Sequence, residues 1–306
     1  MKQVSIIIVT YNSEKDIYDC VSSIQSHADI PKEDIELIIV DNCSREPQAM
    51  FDRLREQWGE DIILIENTKN GGYGQGNNVG IRRATAPVIL IMNPDVRLLE
   101  PFFRKPLDAF QKDDRLIMYG MKMMNTPTHA STNSFWCTTM MNGYMRTLLT
   151  GLCTRMDWYL PRWMYLTGSC FFVRKSMFEA VGLFDEEVFM YGEEDDIHYR
   201  LAHQFGYRFR YDPHLHYLHP MEHRQLTVDY EKKLLEVDLH HHQKKGRSPL
   251  ATLRTYLQIN TTLLIRAYIR KMLGRQDEAD FAKLKGFRTV LKKMYKEYEN
   301  QNQNEN

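Results

Sequence analysis

The chain has 306 residues, enough for one large domain with a smaller appendage or for two modest domains. Lys and Arg number 40, as do Asp and Glu, so no net positive charge indicates nucleic acid as a partner. Hydrophobic residues make up 43%, as in ordinary globular proteins. Because no stretch reaches the roughly 18–20 apolar residues that span a bilayer, we expect a soluble or membrane-peripheral protein.

The five cysteines are scattered and odd in number, and no two form a C-x-x-C pair; they are Cys20, Cys43, Cys137, Cys153 and Cys170. This usage favours reduced thiols in a cytoplasmic protein over a disulfide framework or a zinc site. The N-terminal apolar run is short and lacks the cleavage-site pattern of a signal peptide. We therefore interpret it as a first core strand.

The first hundred residues alternate between apolar runs and helical patterns. Buried strands are predicted at Val4–Thr10, Ile35–Val40, Ile62–Glu66 and Val88–Met92. Helices are predicted after Ser13 and over Met50–Trp58, and a glycine-rich loop over Asn70–Gly80 leads to a helical stretch ending near Ala84. Four strand–helix repeats predict an α/β fold with a mostly parallel central sheet flanked by helices.

Signals beyond residue 100 are weaker. Loops and short strands are predicted over Met118–Pro161, a strand at Phe171–Val173, and helices at Lys175–Val181, Glu193–Phe205, Leu250–Leu273 and Asp280–Tyr298. The terminal Asn/Gln/Glu-rich residues are predicted to be disordered. From Lys244 onward the chain holds 14 Lys or Arg against 6 Asp or Glu, which indicates an anionic surface as neighbour.

Polar clusters follow three of the predicted strands: Thr10-Tyr11-Asn12, Asp41-Asn42 and Asn93-Pro94-Asp95. In parallel sheets the ligand lies beyond the carboxyl ends of the strands, so we expect the clusters to meet at one rim. Asp41 could accept a hydrogen bond from a nucleotide base or close its strand through an Asx-turn. Asp95 suits a divalent cation, although N-P-D is also an ordinary turn sequence.

The run Glu193-Glu194-Asp195-Asp196 is the strongest local feature. A solvated acidic helix cap is one interpretation. The apolar residues just before the run favour another, in which at least one carboxylate faces a pocket and crowding raises its pKa, as a general base requires. His219 is either a further metal ligand or a structural histidine. The glycine-rich segment allows close approach of a ligand, but it matches neither the dinucleotide nor the P-loop motif.

Seven blocks in this order resemble family 2 of the inverting glycosyltransferases, which have the GT-A nucleotide-diphospho-sugar transferase fold. The likeness is greatest to the rhamnosyltransferase-like branch that builds bacterial surface polysaccharides. The blocks lie between Val4 and His219 and read VSIIIVTYN, IIVDNCS, NGGYGQGNNVGI, LIMNPDV, TGSCFFVRK, GLFDEEVFMYGEEDDIHYR and the late histidine.

The resemblance implies roles for individual residues. The donor-binding group comprises Thr10, Asn12, Asp41, Gly72, Asn77 and Asn93, and the acceptor side comprises Gly168, Ser169, Tyr191 and Arg200. Glu194 is the implied catalytic base, with Glu193 and Asp196 beside it, and Asp95 and His219 are the implied ligands of Mg²⁺ or Mn²⁺. Two positions depart from the family pattern. Asn93 replaces the first carboxylate of the D-x-D metal motif, and Glu194 stands where Asp is usual.

The implied function is transfer of a sugar, rhamnose or similar, from a UDP- or TDP-linked donor to a glycan or polyprenyl-diphosphate-linked acceptor. The catalytic domain would cover residues 1–245, with a nucleotide-binding half to about residue 100 and an acceptor-binding half beyond it. Residues 246–306 would form a basic amphipathic helical region. Its helices could contact the inner face of the cell membrane. Equally, they could pack on the catalytic domain or in a dimer.

Two other functions are compatible with parts of the sequence. A nucleotidyltransferase that makes sugar nucleotides would carry its glycine-rich loop directly after the first strand, where this chain has TYNSEKD. A non-catalytic glycan-binding module would have no reason to keep Asp41, Asp95 and Glu194 together.

Overall fold

The computed structural model describes residues 2–131, 133–138, 141–220, 227–275 and 278–304. The chain divides into two compact units. The first comprises Met1–Trp136 and Tyr159–Glu222, and the second comprises Cys137–Trp158 and His223–Asn306. The boundary predicted at residues 245 and 246 therefore falls inside the second unit.

The elements follow one another along the chain as strands, helices and one 3₁₀ turn at Lys32–Asp34. As far as residue 112 they are β1 (Val4–Thr10), α1 (Glu14–His27), β2 (Ile35–Asp41), α2 (Pro47–Trp58), β3 (Ile63–Glu66), α3 (Gly72–Arg83), β4 (Val88–Met92), β5 (Arg97–Leu98) and α4 (Arg104–Lys112). Next come β6 (Met118–Thr126), β7 (His129–Ala130), β8 (Phe135–Cys137), α5 (Gly143–Met156), β9 (Met164–Leu166), β10 (Cys170–Arg174) and α6 (Lys175–Ala180). The last are α7 (Glu193–Phe205), β11 (Phe209–Leu218), α8 (Val228–Lys244), α9 (Pro249–Met272) and α10 (Glu278–Asn304).

The main sheet of the first unit has the strand order β3-β2-β1-β4-β10-β6-β11-β5, and β7 pairs with β6; β8 and β9 form a separate two-stranded sheet. The first four strands in this order are mutually parallel, which confirms the predicted strand–helix repeats. Strand β10 is antiparallel to both β4 and β6, and β5 is antiparallel to β11. The complete sheet is therefore mixed, with its parallel half formed by the first hundred residues.

Alternating side chains of the parallel strands pack into two separate hydrophobic cores, one on each face of the sheet. Ile6 and Ile8 of β1 pack with residues of α1, α2 and α4, whereas Ile7 packs on the opposite face with residues of α3, α6 and α7. Every residue of β2 is buried, as expected for a strand covered by helices on both faces. The strands are paired in register, and the carboxyl ends of β1 and β2 lie side by side at the rim of the site.

The predicted glycine-rich loop over Asn70–Gly80 is wrong for most of its length, because helix α3 begins at Gly72. Its glycines serve close packing of the helix. A methyl group added at Gly76 would lie 2.8 Å from Val9 Cγ1, and one at Gly80 would lie 2.6 Å from Ile7 Cγ2. Glycines four residues apart share one helix face, so this face lies directly on β1.

Two further predictions were wrong in the second half of the chain. The region predicted as loops and short strands contains the nine-residue strand β6 and the 14-residue helix α5. The terminus predicted as disordered is helical as far as Asn304, and residues 305 and 306 lie outside the described residues.

The second unit has a small helical core. Leu235 and Leu239 of α8 pack with Leu253 of α9 and with Phe287 and Leu291 of α10. Across both units, none of the helices in the described ranges is both long and apolar enough to cross a membrane.

Candidate active site

Asp41 ends β2 and is completely buried. Its Oδ1 accepts hydrogen bonds from the hydroxyls of Thr10, at 3.0 Å, and Ser44, at 2.6 Å, while its Oδ2 accepts the Ser44 backbone N–H at 2.8 Å. A buried carboxylate with three donors is well satisfied. The structure thus places Asp41 at the centre of a turn that joins the ends of β1 and β2, which is the Asx-type geometry left open by the sequence.

Asn12 lies on the other side of the same turn. It has a positive φ of 49°, which Asn tolerates better than most residues. Its backbone N–H donates to Ser44 Oγ at 2.8 Å, and its own Oδ1 accepts the Arg45 N–H at 3.4 Å. Tyr11 beside it is half exposed. The predicted convergence of these two clusters at one rim is confirmed, since Thr10 bonds directly to Asp41 and Ser44 contacts both Asn12 and Asp41.

An amide network next to this turn was not anticipated from the sequence. Asn42 Nδ2 donates to Asn70 Oδ1 and to the Gly72 carbonyl, and Asn67 Nδ2 donates to Asn42 Oδ1 and to Gln75 Oε1. These bonds fix the start of α3 against the end of β2. The frequency of Asn in this stretch was its only sequence signal.

Gly72 and Asn77, predicted to contact the donor, are both buried in α3. Gly72 has a φ of 88°, and a methyl group there would lie 1.8 Å from the Phe189 carbonyl oxygen. Asn77 Nδ2 donates to the Tyr73 carbonyl within the same helix at 2.9 Å. Gly72 therefore packs against the segment that precedes α7, and Asn77 stabilises helix α3.

Asp95 follows β4 in a turn closed by the Val96 N–H and the Asn93 carbonyl. Its Oδ1 lies 3.3 Å from His219 Nε2, just beyond the end of β11. Burial opposes ionisation of Asp95, but the hydrogen bond and charge of His219 outweigh it and hold the pKa of this carboxyl below its ordinary value. The two residues predicted as metal ligands are therefore brought together, although 124 positions apart by their numbers.

The Asp95–His219 pair fits a divalent cation on two grounds. The Asp95 side chain remains 39% exposed, so an ion can reach it from solvent, and its oxygen is the hard ligand that Mg²⁺ and Mn²⁺ prefer. His219 Nδ1 is buried and has no hydrogen-bond partner among the described residues, so one nitrogen of this imidazole has no role in holding the fold while the other lies beside Asp95. Protein sites commonly supply only one or two carboxylates to such an ion, so the loss of the first carboxylate at Asn93 is compatible with binding.

Gly168 and Ser169 connect this metal-side turn to the acidic helix. The Ser169 carbonyl accepts the Asn93 backbone N–H at 2.9 Å, and the Gly168 N–H donates to Glu194 Oε1 at 3.2 Å. Ser169 is itself fixed, since its hydroxyl lies 2.9 Å from the hydroxyl of buried Tyr217. Backbone hydrogen bonds therefore connect four positions that were predicted separately from the sequence: Asn93, Ser169, Gly168 and Glu194.

Tyr73 strengthens the same region and was missed by the sequence analysis. Its hydroxyl donates to the Gly168 carbonyl at 2.6 Å, and its backbone N–H donates to the Phe189 carbonyl at 3.0 Å. Burial and the charges of Glu194 and Glu193 raise the pKa of Tyr73 well above its ordinary value. Tyr73 is thus a neutral donor that fixes Gly168 beneath Glu194.

Glu193 and Glu194 begin α7 and differ in environment. Glu193 is buried, and its Oε1 has no hydrogen-bond partner within the described ranges. Burial, together with the charge of Glu194, raises the pKa of Glu193 to about 8. At neutral pH Glu193 therefore retains a proton.

The backbone directly before α7 is strained. Tyr191 has a φ of 79°, and the following Gly192 has a φ of 80°. A left-handed tyrosine costs of the order of 1–3 kcal/mol and persists only where the surrounding structure enforces it. Here it turns the chain sharply so that the helix begins with two glutamates beside Gly168.

Asp196 and Arg200 pair with each other one turn apart on α7. Asp196 Oδ2 lies 2.6 Å from Arg200 Nη2 and accepts from Nε at 2.8 Å, while Arg200 Nη1 donates to the Val181 carbonyl at 2.6 Å. The pair ties α7 to the end of α6. Asp196, predicted beside the base, and Arg200, predicted on the acceptor side, thus hold the helix in place.

The fold and these strand-end residues define a nucleotide-diphospho-sugar transferase fold of the GT-A type. Among solved structures, a mannosyltransferase from Pyrobaculum calidifontis in complex with GDP-Man and Mn²⁺ superimposes with a TM-score of 0.59 at 17% identity, covering 97% of this chain and 84% of that one. The glycosyl transferase family 2 model matches residues 5–182. The chain belongs to glycosyltransferase family 2.

Two curated relatives extend the comparison. A low-salt glycan biosynthesis hexosyltransferase, Agl10 of Haloferax volcanii, is 30% identical over 65% of this chain. An N-acetylglucosaminyl-diphospho-decaprenol L-rhamnosyltransferase of Mycobacterium tuberculosis is 25% identical over 89% of this chain and 95% of its own length. The matched region spans only 62% of the Haloferax protein.

Proposed function

We propose that this protein is an inverting, metal-dependent glycosyltransferase that moves a hexose such as rhamnose from a nucleotide diphosphate to a saccharide acceptor. The observation that carries the proposal is the Gly168-Ser169 segment, which joins the Glu194 carboxylate to the turn holding Asp95. A transferase needs these two functions side by side: a base for the acceptor and a group facing the diphosphate.

The donor would lie along the rim formed by Thr10, Asn12 and Asp41, with its diphosphate toward Asp95. We propose that Asp41 holds the turn that contacts the nucleotide base of the donor. Its carboxylate is enclosed and already accepts three hydrogen bonds. The donor half would then be residues 1–100, with the acceptor-side groups supplied by the later part of the first unit.

Asp95 and His219 would hold Mg²⁺ or Mn²⁺. When bound, such an ion neutralises charge on the departing diphosphate. Glu194 would accept the proton of the acceptor hydroxyl while that oxygen forms a bond to the anomeric carbon. The bond from the anomeric carbon to the diphosphate breaks at the same time, and the nucleoside diphosphate leaves with the electron pair. A single in-line displacement of this kind inverts the anomeric configuration.

The acceptor we propose is a saccharide on a polyprenyl diphosphate, in bacterial surface polysaccharide synthesis. Support comes from the M. tuberculosis relative, whose name describes an N-acetylglucosaminyl-diphospho-decaprenol acceptor and which aligns along 89% of this chain. Such an acceptor would place the transfer at the inner face of the cell membrane. The five cysteines are unpaired, as a reducing compartment requires.

Thermal unfolding with UDP, TDP or GDP, each with and without Mn²⁺, tests the donor site. A ligand at about 100 times its dissociation constant adds ~2.7 kcal/mol of stability. We expect a Mn²⁺-dependent rise in melting temperature with a pyrimidine diphosphate that is lost in Asp95→Ala and kept in Asp52→Ala, whose side chain is 70% exposed on α2. No rise with any nucleotide would instead favour a glycan-binding module.

A further inference from the structure

Helices α5 and α9, both in the second unit, have an unusual charge distribution. Their 14 and 24 residues contain six Lys or Arg and no Asp or Glu, in a chain whose opposite charges balance overall. The basic residues are Arg146 and Arg155 on α5 and Arg254, Arg266, Arg270 and Lys271 on α9. These two helices therefore contribute only positive charges to a surface that they form.

Helix α5 exposes an apolar stripe. Tyr144, Leu148, Leu152 and Met156 recur every four residues and are 47% to 61% exposed. Residues four apart lie on the same helix face, so the stripe extends over the whole helix. Trp158, just past its end, is 52% exposed. The opposite face carries Cys153, which is buried.

The last turns of α9 expose a second apolar stripe. Ile265, Tyr268, Ile269 and Met272 are 51% to 74% exposed and repeat at intervals of three and four. Arg266 lies between them in the sequence and is exposed as well. Isolated exposed apolar residues are normal on any protein, but repeated stripes of large side chains indicate a surface that is covered in use.

The two helices pack against each other. The Gly143 backbone N–H donates to Gln258 Oε1 at 2.9 Å, and a methyl group at Gly143 would lie 2.3 Å from the Thr255 carbonyl oxygen. Only glycine allows this approach. The close contact joins α5, which is distant in sequence, to the helix that carries most of the basic residues.

We propose that the exposed faces of α5 and α9 form a surface that docks onto an anionic lipid bilayer. Apolar side chains inserted at the headgroup boundary, with Arg and Lys toward anionic lipids, describe an interfacial amphipathic element. Aromatic side chains such as Tyr144, Trp158 and Tyr268 suit that boundary. A second copy of the chain fits less well, because a symmetric interface on this surface would bring two sets of cations together.

Flotation of the full chain with lipid vesicles tests the surface in the absence of donor and acceptor, so its outcome is independent of the transferase proposal. We expect the protein to float with vesicles of phosphatidylcholine mixed with phosphatidylglycerol, and to remain unbound with phosphatidylcholine alone. Raising the salt concentration should release it, because surface attraction to charged lipids is screened.

Double variants test separately whether each helix contributes to membrane binding. Leu148→Glu/Leu152→Glu and Ile265→Glu/Ile269→Glu should each abolish flotation. Arg266→Gln/Arg270→Gln should weaken it about 25-fold, since each cation near an anionic surface is worth about five-fold. The control is Tyr207→Glu, an equally exposed apolar position in the first unit, which should float like wild type. Circular dichroism establishes that each variant is folded.

Three results would overturn the proposal. One is equal binding to neutral and anionic vesicles, and another is unchanged flotation of the α5 variant, which would remove α5 from the surface. The third is a dimer in sedimentation experiments that the α5 and α9 variants dissociate, because the stripes would then be a contact between copies.

Discussion

Glu194 Oε1 accepts a hydrogen bond from the backbone N–H of Gly168, and the glutamate side chain lies over that glycine so closely that no β-carbon fits between them. A methyl group at Gly168 would come within 2.4 Å of Glu194 Oε1 and 2.6 Å of its Cγ. Glycine at 168 is therefore needed for the position of the proposed base.

Gly168→Ala is expected to lower kcat with little loss of stability. The atoms that a methyl group would meet belong to a flexible side chain, so Glu194 should move aside while the fold remains. A displacement of about 1 Å at a reacting group costs on the order of 10²-fold in rate. Steady-state kinetics and a melting curve, measured on the same preparation, separate these effects.

Gly151→Ala is the matched control for that variant, because nothing lies within 4 Å of a methyl group at Gly151. It should leave kcat unchanged. If Gly168→Ala kept wild-type kcat, Glu194 would not be the group that accepts the proton.

Glu193→Gln should stabilise the protein at alkaline pH. An acid whose pKa is raised to about 8 in the folded state holds a proton that the unfolded chain releases near pH 4.5. Between these values the wild-type folded state loses stability as pH rises, and the neutral glutamine avoids that loss. We expect the variant to gain on the order of a few kcal/mol over wild type between pH 5 and pH 8.

Chemical denaturation at a series of pH values measures this gain. The control is Glu60→Gln, which removes a carboxyl at an exposed position beyond α2. A Glu193→Gln curve parallel to wild type would show that the Glu193 carboxyl is ionised throughout this range.

Gly80→Ala should destabilise the first unit. A methyl group there would lie 2.6 Å from Ile7 Cγ2 and 3.2 Å from Val40 Cγ2, both buried on strands that cannot move apart easily. Overpacking of this kind costs about 1–3 kcal/mol. The same substitution at Gly151, in an open helix position, should instead raise the melting temperature slightly, because alanine favours helix. Equal effects at the two glycines would contradict the close packing of α3 on β1.

The parallel half of the sheet was predictable because its signal is local. Continuous β-branched runs such as Val4–Thr10 indicate strands buried on both faces, and the carboxyl ends of parallel strands must meet at one rim. That rule alone predicted that the end of β1 lies beside Asp41. The pairing of Asp95 with His219 was implied by the family resemblance, since nothing local links the ends of β4 and β11.

The glycine-rich segment was wrongly predicted as a loop, because glycine occurs both in flexible loops and in helices that pack closely on a neighbour. A run with glycines at 71, 72, 74, 76 and 80 reads as a flexible loop when each residue is taken alone. The spacing of four between Gly76 and Gly80 is typical of one helix face in close contact with a strand, and it was visible in the sequence. Helix α5 was harder to predict from the sequence. Its large apolar residues lie on the exposed face, so it lacks the periodic buried residues that usually indicate a helix.

The most direct test is release of nucleoside diphosphate from UDP-glucose, TDP-rhamnose and GDP-mannose, with Mn²⁺ and a polyprenyl-diphosphate-linked saccharide, by wild type and Glu194→Gln. Our account predicts release from one donor by wild type, with an inverted anomeric configuration in the product. It also predicts a 10²- to 10⁴-fold lower kcat, roughly the value of a general base, in a variant that still binds the nucleotide. Wild-type turnover by Glu194→Gln, or a product with retained configuration, would contradict it.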